Sequence, residues 1–387
     1  MAGSYFFFRA QKYLVAFGGL YLALVVLLTI PSFQSHALYL NAIKIPLFAD
    51  FDTPEKYGLA PNRTINLKIQ TPDNETLGAW FILSENYYKH LPSIPTNPTE
   101  HITPALASHP AILFFHGNAA TRAFSARVQH YEAFSTRLGA SVLAIDYRGF
   151  ADSSGKPSEK GLVTDAKAAF DWLVAHGKQP EDILVVGHSL GTGVSGQLGA
   201  KLASEGVKPK GIVLLSPFSS IHEVLETYHM FGFIPLIKPI AVIPGAAHLL
   251  KSAVVHRFDT LQAVPNITAP VLIAHAENDW DIPDSHSDAL FQAFLDPHLP
   301  PVDTPENPFS TTQEEWNVVT KQQAARTKKR EEIVKSTTIN RFGRVDEFVD
   351  AGHDRKIVLV KTLAGGHDYL GVQEGLVDII GKNFEIL

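Results

Sequence analysis

The stretch Ile183-Leu184-Val185-Val186-Gly187-His188-Ser189-Leu190-Gly191 decides the fold. Its first four residues are the continuous aliphatic run of a strand buried on both faces. The last five match G-x-S-x-G, and residues 190–204 read as a helix. A serine on so tight a strand-to-helix turn has strained backbone. A Cβ on either flank would collide with strand or helix, so both flanks are glycine. The turn lifts the Ser189 hydroxyl clear of the sheet, at a helix N-terminus where developing negative charge is favoured. An overlapping G-x-G-x-x-G runs from Gly191 to Gly196. A dinucleotide fold wants an acid at the end of the next strand, and that strand ends Leu214-Leu215-Ser216. Those glycines are expected instead to let the helix lie close to the sheet.

Outward from the elbow, strand candidates fall at 65–71, 77–84, 111–115, 141–145, 211–215, 271–274 and 357–360. Helical stretches fall at 123–138, 162–176, 285–294 and 369–383. The alternation predicts an α/β protein with a mostly parallel, doubly wound sheet. Two segments break the rhythm. Residues 217–270 are apolar and rich in Pro and Gly and are expected to form a lid, in which 230–250 is either a packed cap or the lining of an acyl groove. Residues 300–356 are charged and are expected to be a surface insertion with a helix around 312–335.

A serine hydroxyl needs a base, and the base needs an orienting carboxylate. After the strand at 271–274 comes His275-Ala276-Glu277-Asn278-Asp279-Trp280-Asp281. Asp279 is the expected acid, with Asp281 and Glu277 as local rivals. After the last strand comes Gly365-Gly366-His367, where a flexible loop can carry the imidazole to Ser189. His353 precedes that strand and would lie at the wrong edge. The strand at 111–115 leads into His116-Gly117-Asn118. The N–H groups of Asn118 and Leu190 are the expected oxyanion hole.

The chain has 387 residues, 45% hydrophobic and 19% charged, which is ample for a large core. A net charge of −6 argues against a nucleic-acid partner. The absence of cysteine excludes disulfides, zinc–thiolate and iron–sulfur sites, and a thiol nucleophile. No metal or organic cofactor is implied. From Tyr13 to Ile30 the chain is uncharged and apolar, near the length that crosses a bilayer. Arg9 and Lys12 precede the run and predict a cytoplasmic N-terminus. A cleaved signal peptide ending near Ser35-His36-Ala37 is the alternative. The expected plan is a cytoplasmic 1–12, an anchor at 13–31, a juxtamembrane linker at 32–59 and a catalytic domain at 60–387. Sequons at Asn62, Asn74 and Asn266 suit a lumenal domain.

HGNAATR (116–122), DYRGFADSSGKPSEKG (146–161), GHSLGTGV (187–194), HAENDWDIP (275–283) and GGHDYLG (365–371) together resemble the membrane-anchored α/β-hydrolase lipases typified by α/β-hydrolase domain-containing protein 12. Ala151 stands where that family usually has Gly, and Asn278 where an acid is common. The resemblance implies the α/β-hydrolase fold and a triad of Ser189, Asp279 and His367. It also implies a lumenal catalytic domain, in the endoplasmic reticulum, acting on monoacylglycerols or lysophospholipids. A silent lipid- or partner-binding scaffold and a serine peptidase are the alternatives.

Overall fold

A computed structural model describes residues 2–227, 229–230, 234–235, 245–303, 305 and 312–387. Strands β1 (Thr64–Gln70) and β2 (Thr76–Ile82) form an antiparallel hairpin. β3 (Ala111–Phe115), β4 (Ser141–Ile145), β5 (Ile183–His188) and β6 (Gly211–Leu215) follow. β7 (His229–Met230) and β8 (Ile234–Pro235) pair apart from the main sheet. β9 (Val271–Ala276), β10 (Lys335–Ile339), β11 (Gly343–Asp350) and β12 (Arg355–Thr362) complete it. The order is β1-β2-β4-β3-β5-β6-β9-β12-β11-β10. The strands from β4 to β12 run parallel, and both edges are antiparallel.

Helices α1 (Ala2–Leu27) and α2 (Pro31–Tyr39) precede the sheet. α3 (Glu85–Lys89) and α4 (Ile102–Ser108) occupy the Pro-rich connection to β3. α5 (Ser125–Arg137), α6 (Glu159–Ala175) and α7 (Leu190–Ser204) are successive crossovers. α8 (Ile221–Thr227), α9 (Ala246–Ser252) and α10 (Thr260–Ala263) lie between β6 and β9. α11 (Ser285–Leu295), α12 (Gln313–Ile333) and α13 (Glu374–Asn383) complete the chain.

The central strands are buried throughout, and their side chains alternate between two cores. Leu113, Val185 and Ile273 pack on one face with Phe170 of α6, Leu198 of α7 and Phe294 of α11. Ile112, Val186 and Leu272 pack on the other with Phe134 of α5 and Ile380 of α13. Each such side chain contributes roughly 1.5–3 kcal/mol by leaving water.

Residues 300–356 differ from the expectation. The helix is there, closed by a Thr312–Glu315 capping box. Residues 335–350, however, are β10 and β11, an extension of the main sheet and not a surface insertion. All five β10 residues are exposed, so the strand carries no period-two pattern to read. The final helix starts at Glu374, because Leu370–Val372 forms a separate 3-10 turn. Most of the expected lid at 230–250 lies outside the described residues.

In α1 the stretch Arg9–Leu27 has a mean hydropathy of 1.6 and is long and apolar enough to cross a membrane. Val15, Phe17 and Leu20 face outward without protein cover. The stretch read as a linker is docked on the domain: Asn41 Nδ2 donates to the Gly149 carbonyl at 2.8 Å and Lys44 Nζ to that of Ala151 at 2.7 Å.

Candidate active site

Ser189 sits between β5 and α7 at φ +52° and ψ −118°, a conformation L-residues avoid. Such strain costs on the order of 1–3 kcal/mol and persists because its surroundings enforce it. A Cβ on Gly187 would come within 2.3 Å of the Gly191 carbonyl oxygen, and one on Gly191 within 2.1 Å of that of Phe115. Of the other glycines in the overlapping motif, a Cβ on Gly193 would meet Phe258 and Phe218, and one on Gly196 would meet Thr260 Cγ2 at 2.9 Å. These two bring α7 against the segment around α10. It is Gly199, beyond the motif, whose Cβ would come within 2.3 Å of Ile212 Cδ1 on the sheet.

Ser189, His367, Asn118 and Leu190 line one cavity of about 390 Å³. Asp279, just past β9, places Oδ2 2.8 Å from His367 Nδ1 on the loop after β12. Asp279 Oδ1 accepts the N–H groups of Asp281 at 2.9 Å and Ile282 at 3.0 Å. The rivals Glu277 and Asp281 are exposed, and His353 lies in the β11–β12 turn bonded to Asp350 at 2.9 Å. Among the described residues no hydrogen bond joins Ser189 Oγ to His367. Such bonds often tighten only when substrate is bound.

Residues outside the sequence reading hold this arrangement. His275 is fully buried, with Nε2 3.2 Å from Asp279 Oδ2 and 2.9 Å from the Ile282 carbonyl. Both neighbours are acceptors, so that nitrogen carries the proton. His188 Nε2 donates to the His367 carbonyl at 2.9 Å. Asn278 Oδ1 accepts the Gly366 N–H at 2.9 Å and so steadies the same loop. His188 and His275 stand inside quoted motifs, but only the fold reveals their partners.

The loop after β3 is shaped by a buried cation. Arg127 Nη2 donates to the carbonyls of Gly117 at 3.1 Å, Asn118 at 2.9 Å and Ala119 at 2.7 Å. Ala119 and Ala120 take left-handed φ values of +53° and +50°. The N–H groups of Ala119, Ala120 and Thr121 donate to the carbonyls of Tyr39, Ile43 and Ile45 at 2.8, 2.7 and 3.0 Å. Among the described residues the N–H groups of Asn118 and Leu190 have no acceptor in the protein. Below the loop, Arg122 Nη1 is 2.6 Å from Asp146 Oδ2, both side chains being fully buried.

Burial opposes ionisation of Asp279, but hydrogen bonds from His275 and His367 outweigh it and hold the carboxyl well below the usual range. Burial also opposes protonation of His367. Asp279, with Asp281 and Asp368, overcomes it and raises the imidazole above 6.5. Burial pushes His188 well below 6.5 and His130 down to about 4, so neither competes for the proton. Asp279, Asp281 and His367 also present metal-ligand atoms within 4.8 Å of one another. The Asp279 oxygens are already taken up by two imidazoles and two backbone N–H groups. The sequons at Asn62, Asn74 and Asn266 are exposed.

A mixed sheet with a strained serine elbow between a central strand and a buried helix defines an α/β hydrolase. A sequence model of the alpha/beta hydrolase fold matches residues 110–239. The chain is 34% identical to lysophosphatidylserine lipase ABHD12 of Danio rerio, over 71% of this chain and 70% of that protein. It is 36% identical to the Rattus norvegicus protein of the same name, over 71% and 67%. Protein ABHD12B of Homo sapiens is 31% identical over 66% and 68%. The chain therefore belongs to the ABHD12 family of α/β hydrolases. A Vibrio vulnificus α/β hydrolase structure shares the fold at a TM-score of 0.55 and 16% identity, over 91% of this chain and 92% of that one.

Proposed function

We propose that the chain is a membrane-anchored serine hydrolase that cleaves acyl esters of lipids such as monoacylglycerols and lysophospholipids. One observation carries this reading: the strained Ser189 shares a cavity with His367, whose Nδ1 is 2.8 Å from the buried carboxylate of Asp279. The names of the ABHD12 relatives support the lipid substrate and, within it, lysophosphatidylserine.

In the proposed reaction Ser189 Oγ attacks the ester carbonyl carbon while His367 Nε2 takes the hydroxyl proton. Asp279 accepts the Nδ1–H bond throughout and stabilises the imidazolium. The N–H groups of Asn118 and Leu190 hold the oxyanion, each contributing about 2.7–4 kcal/mol. The C–O bond breaks, His367 protonates the departing alcohol, and an acyl-enzyme remains. Water, deprotonated by His367, attacks the acyl carbon and releases the fatty acid and Ser189. In this reading 1–12 is cytoplasmic, and the 60–387 domain faces the lumen of the endoplasmic reticulum, where Asn62, Asn74 and Asn266 can carry glycans.

The test is labelling with a fluorophosphonate, alongside hydrolysis of lysophosphatidylserine and monoacylglycerol. The full chain should label and turn over one or both. Ser189→Ala should not label and should lose on the order of 10⁶ in kcat. A wild-type chain inert to probe and substrates overturns the reading.

A further inference from the structure

A second cavity of about 340 Å³ adjoins the one at Ser189. Leu38, Leu40, Asn118, Ile221 and Val224 line both, which makes them two halves of one passage. The outer half is walled by Leu24 of α1, by Leu28 just after it, and by Leu250 and Val254 of the domain. Val25 of α1 clusters there with Leu250, both buried, against Leu28 and Leu225. The membrane helix thus meets the domain at the passage mouth.

Each polar side chain of the outer half makes at least one hydrogen bond within the protein. Gln34 Nε2 donates to the Ala253 carbonyl at 2.7 Å, and its Oε1 accepts the Val255 N–H at 3.0 Å. His256 Nε2 is 3.0 Å from Ser35 Oγ, and its Nδ1 accepts the Glu159 N–H at 3.4 Å. Asn118 Nδ2 donates to the Leu38 carbonyl at 3.3 Å. Among the described residues no Lys, Arg, Asp or Glu lines this half, so a charged headgroup would find no counter-ion there. Hydrocarbon needs none. One end opens beside a helix built to sit in lipid, and the other ends at the nucleophile.

We infer that this passage is the acyl-chain site. It receives one hydrocarbon chain of a membrane lipid ester, which enters beside the last turn of α1 and lies between α2 and α8 with its ester at Ser189. The inference rests on the hydrolase reading. It makes the anchor a wall of the substrate site as well as a tether.

The experiment uses the full chain in phosphatidylcholine vesicles. kcat/KM is measured on acetyl and oleoyl esters of one alcohol, for wild type, Ala37→Trp and Leu28→Trp, which place indoles in the outer half. Labelling by a small fluorophosphonate selects variants with a folded site. The oleoyl-to-acetyl ratio should fall roughly tenfold or more. An unchanged ratio in a variant that labels overturns the inference. Should neither variant label, wild type decides through alkylphosphonates of rising chain length. Labelling should rise about fourfold per methylene until the passage is full, and a flat series overturns the inference. A wild type that neither labels nor cleaves the acetyl ester overturns the hydrolase reading itself.

Discussion

His367 and Asp279 stand 88 positions apart in the chain, yet Nδ1 of one lies 2.8 Å from Oδ2 of the other. The carboxylate raises the imidazole above 6.5. A general base must be neutral, so kcat/KM on a soluble ester should rise with pH through a midpoint above 6.5. Asp279→Asn should lose about 10⁴ in kcat. Asp281→Asn removes a more distant negative charge and should shift the midpoint to lower pH. A wild-type midpoint below 6.5 would count against the pairing.

His275 acts on Asp279 rather than on substrate. His275→Phe keeps an aromatic ring, a larger one, but deletes the Nε2 contact at 3.2 Å together with the bonds to Ile282 and Ser287. With the carboxylate less firmly held, kcat should fall up to about 10²-fold while KM for a short ester changes little. A variant with wild-type kcat would show that the backbone bonds from Asp281 and Ile282 suffice.

The N-terminal segment should matter in two separable ways. Deleting residues 2–27 removes the apolar helix α1 and leaves the bonds from Ala119, Ala120 and Thr121 to Tyr39, Ile43 and Ile45. That chain should keep most of its activity on short soluble esters. Deleting residues 2–45 strips those acceptors from the loop that presents the Asn118 N–H. Its kcat should fall by about 10²–10³, the effect of losing one oxyanion donor. Equal activity in both truncations would refute the coupling.

Arg122 and Asp146 test the motifs that carry the family resemblance. Both side chains are fully buried. Removing Arg122 leaves Asp146 with only the residue-122 backbone N–H and His116, and also takes the guanidinium from Asp152, at about 3–5 kcal/mol. Arg122→Met should therefore lower the melting temperature by about 5 °C. A smaller loss from the double variant Arg122→Met, Asp146→Leu would assign the penalty to the stranded carboxylate.

Glycan attachment tests the proposed topology. Asn62, Asn74 and Asn266 are all exposed. Synthesis with microsomes should give species that an endoglycosidase collapses to one band, and Asn→Gln at each site should remove one step. A chain left unmodified would place the domain on the other side of the membrane.

Some features are written locally. The elbow is written in a local motif: a Cβ on Gly187 would strike Gly191 four residues on, whereas the room at Gly191 is set by Phe115 of the neighbouring strand β3. The central strands are legible because burial on both faces demands unbroken aliphatic runs, and the apolar helix because residues 13–30 carry no charge to interrupt it. Other features exist only once the chain has folded. β10 is exposed along its whole length and owes its strand conformation to pairing with β11. Glu277, Asp279 and Asp281 are equivalent by composition. Which of them meets His367 depends on how the loops after β9 and β12 converge. The docking of residues 39–45 on the loop at 119–121 uses backbone groups that every residue carries, so no side-chain pattern announces it. Local sterics and hydrophobic periodicity are functions of neighbouring residues, and the sequence determines them alone. Long-range partners among chemically equivalent groups are chosen only by the tertiary packing that brings them within reach.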